Sequence, residues 1–435
     1  MSDEHDRVAA RLASLARHLQ QDVLPWWLTH GVDREYGGVF TFWGGDGTRL
    51  MSTDKYVWSQ GRWIWTLASL ARVAKRGLLP EVDAEELLRL AAQSASFVRD
   101  SAILEDGTCA NFLTREGSPT LGFTGTELHS SVYADLFVAS GFAALSRESN
   151  APEWGSLADR LLSGAASRIE AKTARTAPYP VPPGFAGFGP PMILMNSASE
   201  VHKATGSQSS AMVALAAARQ LRSEFFENGV DSCELRPLGQ EATETVEARH
   251  RNPGHLLESL WFMLDVAEPL PGAAASPDST TAPWLVDVLD FQCQRAWDAE
   301  FGGLFRFVDK DGGAPRGART GSDYERTVLS TWDLKLWWPH TEAMYSALLL
   351  WTRTGDERAL NWFWRLDEYS FSRFPAGPGR EWNQILTRQG VPSEPDPQAL
   401  LPVKDPFHLM RALLLLVEIT DDPAFTHTER KFVEQ

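Results

Sequence analysis

The sequence predicts an all-α fold: six helix pairs closed into a toroid, with short β-hairpins in the loops on one face. Three observations predict it. About a dozen segments carry apolar residues at helical spacing. Short alternating runs that end in Gly/Asp turns recur between them. No Ser-rich or Pro-rich linker divides the 435 residues, so one domain spanning 1–435 is expected.

Residues 7–20 place Val8, Leu12, Leu15 and Leu19 on one helical face, ending near Trp26 and Trp27. Glu35-Tyr36-Gly37-Gly38-Val39-Phe40-Thr41-Phe42, followed by Gly45-Asp46-Gly47, reads as a small hairpin. The same pattern returns at 104–117, 300–312 and 381–390. Its intervals are irregular, so it is a degenerate repeat and not a short-period solenoid. Further helices are predicted at 61–75, 84–98, 129–146, 154–171, 196–221, 253–266, 283–297, 338–353, 356–370 and 406–419. Pro-rich loops at 180–191 and 269–283 join elements and do not separate domains. Inner helices of such a toroid would open their N-termini toward one face.

Hydrophobic residues at 43% and charged residues at 23% exclude a disordered chain. A formal net charge of −16 repels nucleic acid and anionic membranes and suits a neutral small molecule. No apolar run approaches the ~20 residues of a spanning helix, and no basic-then-apolar leader is visible. Cys109, Cys233 and Cys293 have neither disulfide-framework nor metal-ligand spacing, which fits a reduced cytoplasm. The ten His show no ligand spacing either, so no metal site is expected. The motifs of zinc proteases, phosphate-binding loops, nucleophile elbows and dinucleotide folds are absent. Most of the 17 Trp would fill a helical core, and some would stack on the C–H faces of a sugar.

Two stretches carry the chemistry. Asn252-Pro253-Gly254-His255 and Asp405-Pro406-Phe407-His408 each place an N-cap, a Pro at the first helical position and a His at the third. Glu258 and Arg411 follow three residues later, on the same faces. An electropositive helix start keeps an imidazole neutral, as a general base must be. Either His could instead simply support its cap. In Lys335-Leu336-Trp337-Trp338-Pro339-His340-Thr341-Glu342, His340 and Glu342 do not share a face, so at most one points inward. Trp338 there is a stacking surface or helix packing. Arg62 lies beside three Trp, where it holds a ring oxygen or an enediolate, or pairs with an acid. Tyr56, Trp382 and Arg411 complete the candidate sugar-binding set. His129, Glu200 and His202 read as structural.

At these residues the chain resembles the N-acylglucosamine 2-epimerase family, which also contains cellobiose 2-epimerases and mannose-type aldose–ketose isomerases. Asp54-Lys55-Tyr56-Val57-Trp58-Ser59-Gln60-Gly61-Arg62 resembles its D-K-x-x-W-x-Q-G-R segment. Arg249-His250-Arg251-Asn252-Pro253-Gly254-His255 resembles R-H-x-N-P-G-H, and 335–343 resembles K-x-W-W-x-x-x-E-A. Phe407-His408-Leu409-Met410-Arg411 resembles F-H-x-P-R, with Met410 where Pro is usual. The resemblance implies an (α/α)6 barrel, His255 and His408 as paired acid/base groups, and Arg62, Glu258 and Glu342 in the pocket. The isomerase and cellobiose branches carry a third His ahead of a Glu, and none precedes Glu200 here. The run 191–195 looks more like the N-acylglucosamine branch, which favours epimerisation. Insertions near 271–282 and 313–331 are expected to alter the pocket mouth.

The implied activity is epimerisation of a free aldose or N-acylhexosamine at C2, through an enediolate and without a cofactor. The resemblance leaves open a nucleotide effector, and a monomer or a homodimer. Rival readings are aldose–ketose isomerisation, an inverting glycosidase built on Glu258 and Glu342, and a sugar-binding protein without catalysis. The glycosidase would need those carboxyls about 6.5–9.5 Å apart.

Overall fold

In the computed structural model, which describes residues 2–45, 47–122, 127–268, 281–393 and 404–425, twelve long helices alternate between two roles. The outer ones are α1 (Ser2–His18), α3 (Ala84–Ser101), α5 (Pro152–Glu170), α7 (Gln208–Glu224), α9 (Thr281–Ala296) and α11 (Glu357–Arg373). The inner ones are α2 (Val57–Lys75), α4 (Val132–Ser149), α6 (Gly189–Thr205), α8 (Pro253–Ala267), α10 (Trp337–Thr354) and α12 (Phe407–Glu418). Inner helices are buried nearly all round, whereas outer ones bury one apolar stripe.

Around the ring α2 packs on α4, α4 on α6, α6 on α8, α8 on α10 and α10 on α12. The ring closes where α12 meets α2. Outer helices α3, α5, α7 and α9 each brace two neighbouring inner helices, α11 braces α10 and α1 braces α12. This is the toroid of six pairs that the periodicity predicts.

One predicted helix, 196–221, is two. Gly206 ends α6 in the left-handed conformation at φ 70°, its N–H bonded to His202 O at 2.8 Å. Ser207 then caps α7 by accepting from Ser210 N. The Pro-rich loop also ends early, because Pro190 and Pro191 occupy the first turn of α6, where a missing N–H costs nothing. The insertion at 271–282 and the loop at 269–283 lie almost wholly outside the described residues.

The predicted hairpins pair differently from expectation. Residues leading into an inner helix take the partner strand from a later loop: Lys55–Tyr56 with Phe112–Leu113, His250–Arg251 with Val308–Asp309, and Lys335–Leu336 with Ile385–Leu386. The Gly turns themselves close with single bridges, such as Val32 to Val39 and Trp297 to Leu304. Two-residue strands are too short to stand as free hairpins.

Side chains clamp two of these loops in the same way. Lys55 Nζ donates to Asp33 at 2.9 Å and Gly37 O at 2.7 Å, and Arg115 adds bonds to Asp33 and Glu35. Lys335 Nζ donates to Asp298 at 3.2 Å, and Arg388 adds bonds to Asp298 and Glu300. Five residues after each Lys, a side chain pins the loop backbone: Gln60 accepts from Val39 N, and His340 Nε2 accepts from Leu304 N, both at 2.8 Å. His340 is therefore a scaffold residue, and burial holds its pKa near about 3.

A close backbone contact between two inner helices sets the position of Arg62. A Cβ on Gly61 would lie 2.4 Å from the Phe137 carbonyl carbon, and one on Gly141 would lie 2.4 Å from Gly61 O. Both obstacles are backbone, so α2 and α4 would have to part. Gly61→Ala is expected to cost about 3 kcal/mol, read as a lower urea midpoint. Gly164→Ala, whose nearest neighbour is the Arg168 side chain, should leave the midpoint in place; equal shifts in the two variants would contradict the close-approach account.

Candidate active site

The first turns of all six inner helices, or the residues entering them, line one cavity of about 170 Å³. At about 10–15 Å³ per water-sized group, that is room for roughly a dozen, the scale of a monosaccharide. Six helix N-termini point their partial positive charge at this space.

His255 stands at the third residue of α8, as expected, and the Asn252 side chain accepts from its backbone N–H at 3.4 Å. Its Nδ1 lies 2.9 and 3.0 Å from the two oxygens of Glu234, a carboxylate in the segment before the strand Leu235–Pro237. Nδ1–H therefore donates to Glu234, and Nε2 is left for the cavity. The helix start alone would lower the proton affinity of this ring, but its surroundings work the other way. Burial does oppose charging, but Glu234 outweighs it, and the His255 pKa is raised. A carboxylate in contact shifts a pKa by about 1–3 units, whereas a helix end contributes only about 0.3–1 kcal/mol.

His408 is the second residue of α12, not the third. Asp405 caps from further back, its Oδ1 accepting from Phe407 N at 2.5 Å while its other oxygen binds Arg62. His408 Nδ1–H donates to Glu342 Oε1 at 2.9 Å. Its Nε2 stands 4.0 Å from Asp405, too far for a bond. Burial above all, helped by Arg62 and Arg411 against the pull of Asp405 and Glu258, holds this ring neutral with a pKa near about 3. Glu342 does not reverse this, because its charge is already shared. Arg411 donates to it at 2.6 and 3.2 Å, and Trp261 Nε1 at 3.0 Å.

Arg411 Nη2 also binds Glu258, so the two residues that follow each His by three meet across the ring. Glu258, Glu342 and His408 bring ligand atoms within 4.8 Å of one another, as a cation site would. The Arg411 guanidinium already satisfies that concentration of charge. Because both carboxylates bind the same nitrogen, the water-wide gap of an inverting glycosidase, about 6.5–9.5 Å, is not built here.

Trp338 lines the cavity between the two imidazoles, with ring centroids 5.6 Å from His255 and 5.2 Å from His408. It fits because residue 254 is Gly: a Cβ there would lie 2.3 Å from the indole. Arg62 also lines the cavity, paired with Asp405 and stacked 4.0 Å over Phe137.

Of the nine candidate residues, His255, His408, Arg62, Glu258 and Trp338 line the cavity. The other four do not. Tyr56 is fully buried and stacked 4.6 Å from Phe112, because it lies in the strand before α2; Trp58, two residues on, reaches the cavity. Trp382 is fully buried too, donating to His18 at 2.8 Å and stacked on Phe374. Glu342 and Arg411 sit one turn deeper than the wall and act on it through His408 and Glu258.

Sequence reasoning missed Glu234, Arg306, Tyr133 and Tyr179, all in the wall. Glu234 has no motif around it, and nothing in its spacing marks it. The insertion at 313–331 does reach the cavity: its helix Asp323–Thr331 supplies Tyr324, Thr327 and Val328. The Tyr324 hydroxyl is 3.2 Å from His250 Nε2.

Comparison with known proteins gives the family and the fold. The family model described as N-acylglucosamine 2-epimerase (GlcNAc 2-epimerase) matches residues 129–412. The N-acylglucosamine 2-epimerase of Bos taurus is 29% identical over 97% of this chain and 94% of its own. The cellobiose 2-epimerase of Bacillus thermoamylovorans superposes with a TM-score of 0.74 at 16% identity, covering 94% of this chain and 99% of that one. A D-mannose isomerase does so at 0.71 and 16%, covering 93% and 97%. These two superpositions show a shared (α/α)6-barrel fold. A helical ring with paired histidines at one mouth, matched by that family model over most of its length, is a member of the N-acylglucosamine 2-epimerase family.

Proposed function

We propose that this chain inverts C2 of an open-chain N-acylated aldohexosamine, one histidine taking the C2 proton and a second returning a proton to the opposite face. The observation that carries the reading is the pair itself. Two imidazoles share one cavity and one indole, each has Nδ1 held by a carboxylate, and their proton affinities are pushed in opposite directions.

A C–H beside a carbonyl is acidic because the resulting charge spreads onto oxygen. His408, neutral with Nε2 free, accepts the C2 proton. The enolate that forms, with its charge on the C1 oxygen, is stabilised by Arg62 and by the six helix N-termini, which need no reorganisation when the charge appears. His255 Nε2–H then returns a proton to the other face of C2. For the opposite epimer the two rings exchange roles. Every proton transfer uses groups of this chain. Tyr133, Tyr179 and Tyr324, with Arg306 among them, offer an acyl substituent both apolar surface and donors. On a 2-hydroxyaldose, aldose–ketose isomerisation would share the first step and return the proton to C1; a two-ring relay favours return to C2.

Turnover of an N-acetylated aldohexosamine in D₂O should give its C2 epimer with deuterium at C2, and a 2-hydroxyaldose offered in its place should give no ketose. Ketose as the main product would move the assignment to isomerisation, and no exchange at all would sink both readings. His255→Asn and His408→Asn should each lower kcat about 10²–10⁴-fold; either variant keeping a tenth of wild-type turnover contradicts its role. Because His408 stays neutral down to about pH 3, kcat/KM should not fall between pH 7 and pH 5. An acid limb centred near the ordinary histidine value would show that His408 is not the resting base. Arg62→Met leaves Asp405 facing His408 without its cation, so proton affinity there rises and the acid limb moves to higher pH.

A further inference from the structure

We propose that Glu234 is a positioning residue that makes His255 the resident proton donor of the pair. The inference rests on the acid role given to His255 above. Each histidine donates Nδ1–H to a carboxylate, and a second nitrogen lies near the same atom: Asn252 Nδ2 at 3.0 Å for His255, Arg411 Nη2 at 3.2 Å for His408. What surrounds the carboxylates differs. Glu342 is also bound by Arg411 and Trp261. Among the described residues, Glu234 has one cationic partner, and it is His255.

Glu234 is itself 8% exposed, so its charge is poorly screened. Its place is fixed on both sides. Its carbonyl accepts from Phe188 N at 2.9 Å, at the start of α6, and the following strand pairs with Phe185–Gly187. The other charged or titratable groups near His255 do not substitute for it. Glu258, on the same helix, is committed to Arg411; Arg306, also in the cavity wall, opposes a charged ring; and Tyr324 donates to His250. With both Glu234 oxygens at Nδ1, the proton available to the sugar is on Nε2 when the ring is charged, and Nε2 is the free acceptor when it is neutral. One carboxylate thus sets both the direction of the ring and its resting charge.

Glu234→Gln keeps the reach and removes the charge. Titration of ¹⁵N-labelled histidines by NMR, with no sugar present, should show His255 losing about tenfold or more in proton affinity while His408 stays where it is. The alkaline limb of kcat/KM, set by loss of the His255 proton, should move to lower pH by the same factor, and Glu234→Asp should restore part of it. An unchanged His255 titration, or a profile lowered uniformly without displacement, overturns the proposal. If Glu234→Gln does not fold by circular dichroism, the wild-type titration decides: His255 must titrate above the ordinary value of about 6.5, and a midpoint at or below it refutes the role. Failure of deuterium exchange at C2 in the wild-type enzyme would remove the acid role itself while leaving the titration result intact.

Discussion

The ring depends on one guanidinium. Arg411 joins Glu258 of α8 and Glu342 of α10 to α12, three consecutive inner helices. All three residues are at most 2% exposed. Their burial carries a desolvation cost that only mutual pairing offsets, and breaking such a group at one member typically costs about 3–5 kcal/mol. The arrangement is not a gratuitous stabiliser, since apolar residues would hold three helices as well. Its value lies in what it leaves at the cavity wall: a His408 whose Nδ1 is fixed and whose charge is suppressed.

That network explains how one motif, used twice, gives two different acids. Each histidine follows a capped helix start and leans on a carboxylate. A carboxylate already bonded to arginine exerts little net field on its imidazole, and burial then decides against the charged form. A carboxylate without that partner decides for it. The difference between the rings lies in residues outside the two stretches: Glu342 with Arg411 on one side, Glu234 on the other.

Much of the ring was legible in the sequence because inner and outer helices have distinct apolar patterns and because caps and prolines mark their starts. The break inside 196–221 was missed because Gly206 interrupts the chain without interrupting the apolar periodicity. Strand pairing was misassigned because two-residue strands carry no periodicity; their partners are chosen by how neighbouring inner helices sit. In the site, residues within motifs at helix starts were found, His255, His408, Arg62 and Glu258 among them. Tyr56 and Trp382 were misplaced because composition tells an aromatic side chain from a polar one but not its direction. Glu234 reaches His255 from 21 positions away through the fold alone, so local pattern held no trace of it.

The convergence of six helix starts on one small chamber has a pharmacological consequence. Such a chamber is better matched to a flat, negatively charged species than to the flexible polyol it first admits. The compounds it would retain most strongly are therefore not other sugars. They would be short-chain hydroxamates and similar planar oxyanions, mimics of the anion proposed above, whose charge the surrounding peptide dipoles already await.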